Sequence, residues 1–379
     1  MPRDDYYAAM RSRLILASIL VATSGLGART VQPPAAPAAP HAAEHHEFVI
    51  ENFKTESGVT LPKARLVYGT YGHLNAARDN VILLPSHYMA NHHGYEWLIG
   101  ADRALDVSTL FLVATELFGN GSSSSPSNTP EPLHGPRFPV MTIRDNVEAV
   151  RRLLADDLKV THVRAIIGFS MGAEQAFQWA VSHPAFADRI VATSGTAKTW
   201  PHGVVRLEGQ ITALTTDAAF SNGDYTSPPR KGIEAYGMTW LPWLYSQEWW
   251  HRELWKTNAP DRTLEQEIEN RRRTFFQNND ANDLILQART WLRHDVGTTP
   301  GFNGDVQRAL RSITAPILYM PSETDLYFPV TDARFEAQFI PGVTFLPIPS
   351  VWGHTAGAAS NPADRAFLNQ NISRFLAVP

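Results

Sequence analysis

The sequence contains no cysteine among its 379 residues. A chain without cysteine forms no disulfides, offers no thiol nucleophile and binds neither zinc nor an iron–sulfur cluster through thiolates. Any covalent catalysis must therefore use Ser, Thr, Lys, Asp, Glu, His or Tyr.

Charged residues are also scarce, at 18% of the chain against a usual fraction of roughly 25%. With 44% hydrophobic residues and a net charge of −4, the composition indicates a compact globular protein. It offers no general cationic field, so we predict no nucleic-acid partner. The pairs His45-His46 and His92-His93 lack the HExxH spacing of metal ligands, and we predict neither a metal nor a cofactor.

The first 45 residues have the features of an export segment. Arg11 and Arg13 precede an apolar run, Leu14–Ala22, that is too short to span a bilayer, and small residues follow up to Ala28. We predict a cleaved signal peptide over residues 1–28, and a Pro/Ala-rich linker over residues 29–45 that makes no packed core. A secreted or periplasmic location follows; an unprocessed tail on a cytoplasmic protein is the alternative.

Short apolar runs then alternate with helix-like stretches over residues 46–379. Continuous runs such as Val81–Leu84 are typical of strands buried on both faces of a mostly parallel sheet. This alternation predicts a three-layer α/β domain. Between about residues 200 and 298 no strand pattern occurs, and helical patterns such as Leu264–Phe276 and Ala281–Leu292 predict a helical cap inserted into the domain. The predicted strands are Phe48–Phe53, Ala64–Gly69, Val81–Pro85, Leu110–Thr115, Arg164–Gly168, Ile190–Ser194, Pro316–Met320 and Val343–Ile348.

One motif carries recognisable chemistry. The predicted strand before Phe169 runs into Gly168-Phe169-Ser170-Met171-Gly172, and a helix-compatible stretch follows. Such a G-x-S-x-G turn between strand and helix presents the serine hydroxyl at the edge of the sheet as a nucleophile. The alternative is an ordinary Gly/Ser turn.

A nucleophilic serine needs an imidazole base and a carboxylate that orients it, in the chain order Ser, acid, His. Asp325 follows the strand Pro316–Met320, with Glu323 as the rival acid, and His354 lies in the loop after the last strand. We therefore predict Ser170, Asp325 and His354 as the catalytic residues. Backbone N–H groups must also stabilise the oxyanion, and we predict those of Met171 and, in the loop after the third strand, Tyr88.

Five motifs follow one another along the chain: Ile99–Asp106, Phe118–Asn128, Phe138–Val147, Gly168–Gly172 and Gly353-His354. Taken in this order, they resemble the homoserine O-acetyltransferase-like branch of the α/β-hydrolases. The resemblance implies the α/β-hydrolase fold, an eight-stranded mostly parallel sheet with a helical cap, and supports the same three catalytic residues. Homoserine-acetylating members resemble one another in a Gly-Gly-Ser-Met-Gly-Gly elbow and a Tyr-Arg-Ser segment whose arginine grips the substrate carboxylate. This chain has Phe169 and Ala173 in the elbow, and Glu234–Met238, the nearest counterpart of that segment, lacks an arginine, which implies a branch that does not acetylate homoserine.

Other features receive structural or pocket roles. We predict that Trp240, Trp243, Trp249 and Trp250 line an apolar substrate pocket in the cap, core packing being the alternative. The loop Gly119–Asn128 lacks a phosphate-binding pattern and is predicted to be structural. Arg144 and Asp145 are predicted to form an ion pair at the start of a helix.

Three functions remain open at this point. The first is a serine ester hydrolase that acts on a small or short-chain acyl ester through an acyl-enzyme. The second is an O-acyltransferase that moves an acyl group from acyl-CoA to an alcohol. The third is a non-catalytic binding module on the same fold. No stable membrane span is expected, and a homodimer is left open.

Overall fold

The computed structural model describes residues 42–378. The predicted signal peptide and all but the last few residues of the predicted linker lie outside the described residues. The linker ends earlier than predicted, because Glu44 and His45 already pair with Thr70 and Gly69 in a sheet.

The centre of the fold is an eight-stranded sheet with the strand order β1-β2-β4-β3-β5-β6-β7-β8. Strand β2 runs antiparallel to both of its neighbours, and all later pairs are parallel. The family-type sheet that the resemblance implied is therefore confirmed. The strands are β1 (Glu44–Lys54), β2 (Thr60–Tyr71), β3 (Val81–Pro85), β4 (Phe111–Thr115), β5 (Ala165–Phe169), β6 (Ile190–Thr193), β7 (Ile317–Met320) and β8 (Val343–Phe345).

Helices cover both faces of the sheet, which is why the central strands are buried at every position and mostly apolar. In β3, Val81 and Leu83 pack into a core shared with the helices Ile143–Arg152 (α1) and Met171–Ser182 (α2). Ile82 and Leu84 pack into a second core shared with the helix Pro362–Leu376 (α10). The helices are α1 (Ile143–Arg152), α2 (Met171–Ser182), α3 (Pro201–Thr215), α4 (Arg230–Leu244), α5 (Gln247–His251), α6 (Leu264–Asn278), α7 (Ala281–Leu292), α8 (Val306–Arg311), α9 (Val330–Ala337) and α10 (Pro362–Leu376).

The helices α3 to α8 follow one another between β6 and β7. Helix α6 begins at a capping box formed by Thr263 and Gln266, and α7 begins at the N-cap Asp280, so polar side chains satisfy their first amide groups. We call the segment from α3 to α7 the cap. No helix within residues 42–378 is both long enough and apolar enough to cross a membrane.

The predicted ion pair between Arg144 and Asp145 does not form. Arg144 instead pairs with Glu56, Nε to Oε1 at 2.5 Å. Asp145 completes a capping box with Thr142 at the start of α1 and accepts the backbone N–H of Glu56. Neighbouring residues in the first turn of a helix point in different directions, so each side chain finds its own partner on the loop after β1.

Candidate active site

Ser170 lies between the end of β5 and the start of α2, in a strained backbone conformation. Its φ is 57° and its ψ is −125°, a region that costs a residue with a Cβ free energy and is typical of functional turns. The two glycines of the motif make the turn possible. A Cβ on Gly168 would lie 2.0 Å from the carbonyl oxygen of Gly172, and one on Gly172 would lie 2.4 Å from that of Pro85.

The structure brings Ser170, His354 and Asp325 into one hydrogen-bonded row. Nε2 of His354 lies 2.9 Å from Oγ of Ser170, and Nδ1 lies 2.8 Å from Oδ2 of Asp325. The other carboxylate oxygen of Asp325 accepts the backbone N–H groups of Tyr327 and Phe328. All three side chains are buried. This row can transfer the hydroxyl proton of Ser170 to the imidazole while the carboxylate fixes the orientation of the ring.

The rival acid, Glu323, is exposed to solvent. It lies in the same loop as Asp325, and its backbone N–H donates to Ile348. The structure therefore brings Asp325 rather than Glu323 to the imidazole.

Aromatic rings enclose His354. The ring centroids of Phe169 and Tyr327 each lie 4.8 Å from that of the imidazole, and that of Phe328 lies 5.5 Å away. The rings restrict the rotation of the imidazole and keep bulk water from its faces, which strengthens electrostatic interactions inside the site.

The loop that carries His354 packs directly on the cap. Gly353 has a φ of 60°, and a Cβ there would lie 2.8 Å from the carbonyl oxygen of Leu244, the last residue of α4. The hydroxyl of Ser246 donates to the carbonyl of Val351. The position of the imidazole is thus coupled to the end of α4.

The two predicted oxyanion donors are the backbone N–H groups of Met171 and Tyr88. Within residues 42–378, neither donates a hydrogen bond. Met171 is the first residue of α2, where amides have no partner within the helix and the helix dipole favours negative charge. Tyr88 follows β3 in a turn closed by a bond from Ala90 N–H to the carbonyl of His87. Both amides are free to receive an oxyanion, and that role stays a prediction.

His87 is a second histidine beside the site, which the sequence analysis did not single out. Its ring contacts Phe169 edge-on, at a centroid distance of 4.9 Å. Burial, and next the nearby His354, lower the pKa of His87 to about 4. His87 is therefore neutral near pH 7 and places no positive charge beside the imidazole of His354. Its place directly after a buried strand was the available signal.

Arg206 is a buried cation that the sequence analysis missed. Its guanidinium carbon lies 4.1 Å from the ring centroid of Tyr327 and 4.5 Å from that of Trp291, and Nη1 donates to Gln210. Burial lowers the pKa of Arg206, but a guanidinium stays protonated in proteins. Cation–π contacts replace its lost hydration. A signal existed, since Arg206 and Gln210 fall on the buried face of α3 together with leucine and isoleucine.

The structure separates the four predicted pocket tryptophans. Trp240 stacks on Tyr88 at 4.7 Å and contacts Tyr327 at 4.9 Å, so it lies beside the site. Trp243 lines a groove on the surface of the cap with His202 and Val205. Trp249 and Trp250 pack with Tyr245 in a small core of the cap, against which Trp352 of the His354 loop also packs. A substrate-binding role therefore remains a prediction that the geometry favours only for Trp240.

The loop Gly119–Asn128 is held by hydrogen bonds to neighbouring elements. Ser123 Oγ accepts the N–H of Val67 in β2, and Ser127 donates its hydroxyl to Asp283 in α7 at 2.6 Å. These contacts suit a structural loop. Within residues 42–378 no group of three or more His, Asp or Glu side chains is placed to hold a metal ion.

Comparisons with known proteins identify the fold family. A family described as alpha/beta hydrolase fold matches residues 80–356. An ethyl acetate hydrolase of Pseudomonas veronii is 33% identical over 327 residues, which cover 86% of this chain and 93% of the relative. A homoserine O-acetyltransferase of Chlorobium chlorochromatii is 27% identical over 322 residues, which cover 81% of this chain and 88% of that relative.

A solved structure of an acetylester hydrolase from Corynebacterium glutamicum superposes with a TM-score of 0.85. It is 29% identical, and the match covers 88% of this chain and 96% of that one. The similarity thus extends over the sheet, the cap and the loops that carry the three side chains.

Proposed function

The chain belongs to the α/β-hydrolase fold family, and from this membership we propose that it is a serine ester hydrolase that cleaves short-chain acyl esters, acetyl esters in particular. The observation that carries the proposal is the row from Ser170 through His354 to Asp325, with both hydrogen bonds shorter than 3 Å. The choice of acyl group is supported by relatives named ethyl acetate hydrolase and acetylester hydrolase.

The first half of the reaction acylates the serine. Oγ of Ser170 attacks the ester carbonyl carbon while its proton passes to Nε2 of His354, and Asp325 stabilises the imidazolium through Nδ1–H. The N–H groups of Met171 and Tyr88 receive the carbonyl oxygen as it becomes an oxyanion. The imidazolium then returns its proton to the departing alkoxide, the bond from carbonyl carbon to alcohol oxygen breaks, and the alcohol leaves.

The second half releases the acid. A water molecule gives one proton to Nε2 of His354 and adds its oxygen to the acyl carbon. The same two amides stabilise the second oxyanion, and Ser170 regains its proton as the carboxylic acid departs. No cofactor or metal is needed for either half.

The decisive test is the Ser170→Ala variant, assayed with aryl esters of increasing acyl length. Loss of the nucleophile in such a site lowers kcat by about 10⁴-fold or more. We expect the wild type to prefer acetyl over longer esters and Ser170→Ala to show no turnover above background. Undiminished activity in the variant would contradict the mechanism. Wild-type protein inactive on every ester would favour a binding module instead.

A second candidate, acyl transfer to an alcohol, is favoured by the relatives named homoserine O-acetyltransferase. It uses the same acyl-enzyme, but an alcohol replaces water in the second half, and acyl-CoA replaces the ester in the first. Incubation with acetyl-CoA, with and without alcohols, separates the two. Release of CoA that requires an alcohol would favour the transferase; release of acetate from aryl acetates in water alone favours the hydrolase.

We also propose that the protein is exported and that residues 1–28 are removed. The support is the apolar run after Arg11 and Arg13 and the small residues that follow it. N-terminal sequencing of the mature protein tests this. A first residue near Arg29 is expected, and a retained Met1 or Met10 would contradict cleavage and favour the cytoplasm.

A further inference from the structure

The segment Ser86–His93, which we call the oxyanion loop, holds an unfavourable backbone conformation. Its turn from His87 to Ala90 is closed by the bond between the ends and has a positive φ of 51° at its third residue, Met89. That position normally requires glycine, because a residue with a Cβ pays for a left-handed φ. Rotation of the Tyr88–Met89 peptide to the commoner turn type would relieve the strain. Something must therefore hold this loop.

Three side chains hold the loop from the side of the sheet, those of Gln175 and Glu116 buried and that of Asn120 half-buried. Nε2 of Gln175 in α2 donates to the carbonyl of Ser86 at 2.8 Å. Nδ2 of Asn120 donates to the carbonyl of Ala90 at 3.1 Å. Glu116 accepts a hydrogen bond from the backbone N–H of His92 and is also hydrogen-bonded to Nδ1 of its ring. These contacts fix the two ends of the loop, but none of them reaches the peptide between Tyr88 and Met89.

Gln287, in helix α7 of the cap, holds that peptide. Its Oε1 accepts the backbone N–H of Met89 at 2.6 Å, and its Nε2 donates to the carbonyl of Phe118 at 3.1 Å. The side chain is completely buried. Because its amide is anchored at both ends, Gln287 cannot follow the peptide if the turn changes type. One turn earlier on α7, the carbonyl of Leu284 accepts the hydroxyl of Tyr88 at 2.8 Å.

We propose that Gln287 is a positioning residue through which the cap sets the oxyanion site. It holds the Met89 N–H against α7 and so keeps in place the turn that carries the Tyr88 N–H. The proposal rests on the proposed function, because an oxyanion forms only if Ser170 attacks an acyl carbon. Gln287 touches no reacting atom and acts through the loop alone.

The first test is Gln287→Met, which keeps the length of the side chain and removes both hydrogen bonds. Loss of an oxyanion donor lowers kcat by about 10²–10³-fold. A donor that is present but misplaced should lower kcat by about 10- to 100-fold. We expect kcat for an aryl acetate to fall by that factor while KM changes less than about threefold.

A matched control is Gln178→Met in α2. Gln178 is equally buried and also makes two side-chain hydrogen bonds, to Ser182 and Thr299, but it does not contact the oxyanion loop. It should lose comparable stability and keep kcat within about threefold of wild type. Equal effects of the two variants on kcat would overturn the proposal.

Inhibitors distinguish positioning from loosened binding. An aryl trifluoromethyl ketone adds to the serine and forms an oxyanion, whereas the corresponding trifluoromethyl alcohol only occupies the site. Gln287→Met should raise the inhibition constant of the ketone by the factor by which kcat falls. The inhibition constant of the alcohol should change by less than about threefold. Equal weakening of both compounds would contradict the proposal.

A second variant, Gln287→Glu, tests the same proposal if the Gln287→Met protein does not fold. A protonated carboxyl can accept from Met89 and donate to Phe118 as the amide does, whereas an ionised one repels the Phe118 carbonyl. Its kcat relative to wild type should fall as pH rises and the carboxyl ionises. A ratio constant between pH 5.5 and 8.5 would contradict the proposal.

The proposed function is checked in the same samples with an aryl fluorophosphonate, which labels an active serine. Wild-type protein that is neither labelled nor active refutes the ester hydrolase itself. If the wild type is labelled and active, and Gln287→Met has the kcat of the wild type, only the role of Gln287 is refuted.

Discussion

At the scale of single residues, the site depends on how the carboxylate of Asp325 divides its hydrogen bonds. Oδ1 accepts two backbone N–H groups, from Tyr327 and Phe328, and Oδ2 faces Nδ1 of His354. The backbone therefore decides which oxygen meets the imidazole, and it would orient an amide in the same way.

This division makes Asp325→Asn a sharp test. The amide oxygen will take the place of Oδ1, because only an acceptor suits the two N–H groups there, and Nδ2 will face the imidazole. That arrangement forces the imidazole proton onto Nε2, so the ring cannot accept the proton of Ser170. We expect kcat to fall by about 10⁴-fold with little change in melting temperature.

The control is Glu323→Gln, which alters the exposed rival acid in the same loop. It should keep kcat within about threefold of wild type on the same aryl acetate. A large loss in Glu323→Gln, with normal turnover in Asp325→Asn, would assign the acid to the other residue.

The residues that sequence could place are those next to strand ends. Ser170 and Asp325 follow the buried strands β5 and β7, and His354 follows the partly exposed β8. Parallel strands end at one edge of the sheet, so the proximity of the three residues could be predicted. Arg206 and Gln287 do not lie next to strand ends and could not be found in this way. Their contacts join segments far apart in the chain and depend on how the cap packs on the loops, which no local pattern records.

At the scale of elements, apolar runs located every strand but not the full length of each. Strand β1 extends beyond the predicted run Phe48–Phe53 because its outer residues are polar and mostly exposed. Strand β2 extends beyond Ala64–Gly69 at both ends, where its outer residues include buried Leu61, Thr70 and Tyr71. Strand β8 is shorter than predicted, since it ends at Phe345, shortly before Pro347, and proline cannot donate to a ladder. Helix α7 has the predicted bounds, Ala281–Leu292, because the polar cap Asp280 marks its start.

Tyr95 joins two of these elements at the site. Its hydroxyl donates to the carbonyl of Pro85, the last residue of β3, at 2.6 Å, and accepts the N–H of Phe169 at the end of β5 at 2.9 Å. Tyr95→Phe leaves both buried groups without this partner. We expect the free energy of unfolding to fall by about 2–4 kcal/mol, measured by urea denaturation.

Tyr68→Phe is the matching control, since Tyr68 is equally buried but its hydroxyl bonds Asp157, which is exposed to solvent. Water can replace that partner, so the loss should be about 1 kcal/mol or less. Equal losses in the two variants would show that Tyr95 does not join the strands energetically.

At the scale of the whole molecule, the cap is fastened to the sheet domain by a buried carboxyl. Asp283 in α7 accepts the N–H and hydroxyl of Ser127, and burial, as the main cause, raises the pKa of Asp283 to about 7. The folded protein therefore keeps a proton that the unfolded chain loses near pH 4. The contribution of Asp283 to the free energy of unfolding therefore falls as pH rises between about 4 and 7, by at most roughly 1.4 kcal/mol per pH unit, and levels off above pH 7.

Asp283→Asn keeps both contacts, because its oxygen accepts the N–H of Ser127 and its amide nitrogen donates to the hydroxyl. The substitution removes the ionisation, so the variant should melt at a higher temperature than wild type at pH 8. The two melting temperatures should converge toward pH 4. A difference that stays constant across this range, measured by calorimetry, would show that Asp283 does not titrate as stated.

The contact between Gly353 and the end of α4 has a consequence for engineering. The cap is one continuous insertion in sequence, which invites its exchange as a cassette between relatives of different substrate range. Yet Leu244 and Ser246 abut the loop of the histidine, and Gln287 holds the loop opposite. The surfaces of a transplanted cap would be complementary to the two loops of another protein. Such a cap would displace both the base, His354, and the oxyanion donor, the Tyr88 N–H. Point substitutions on the resident cap, away from these contacts, are therefore the sounder route to new specificity.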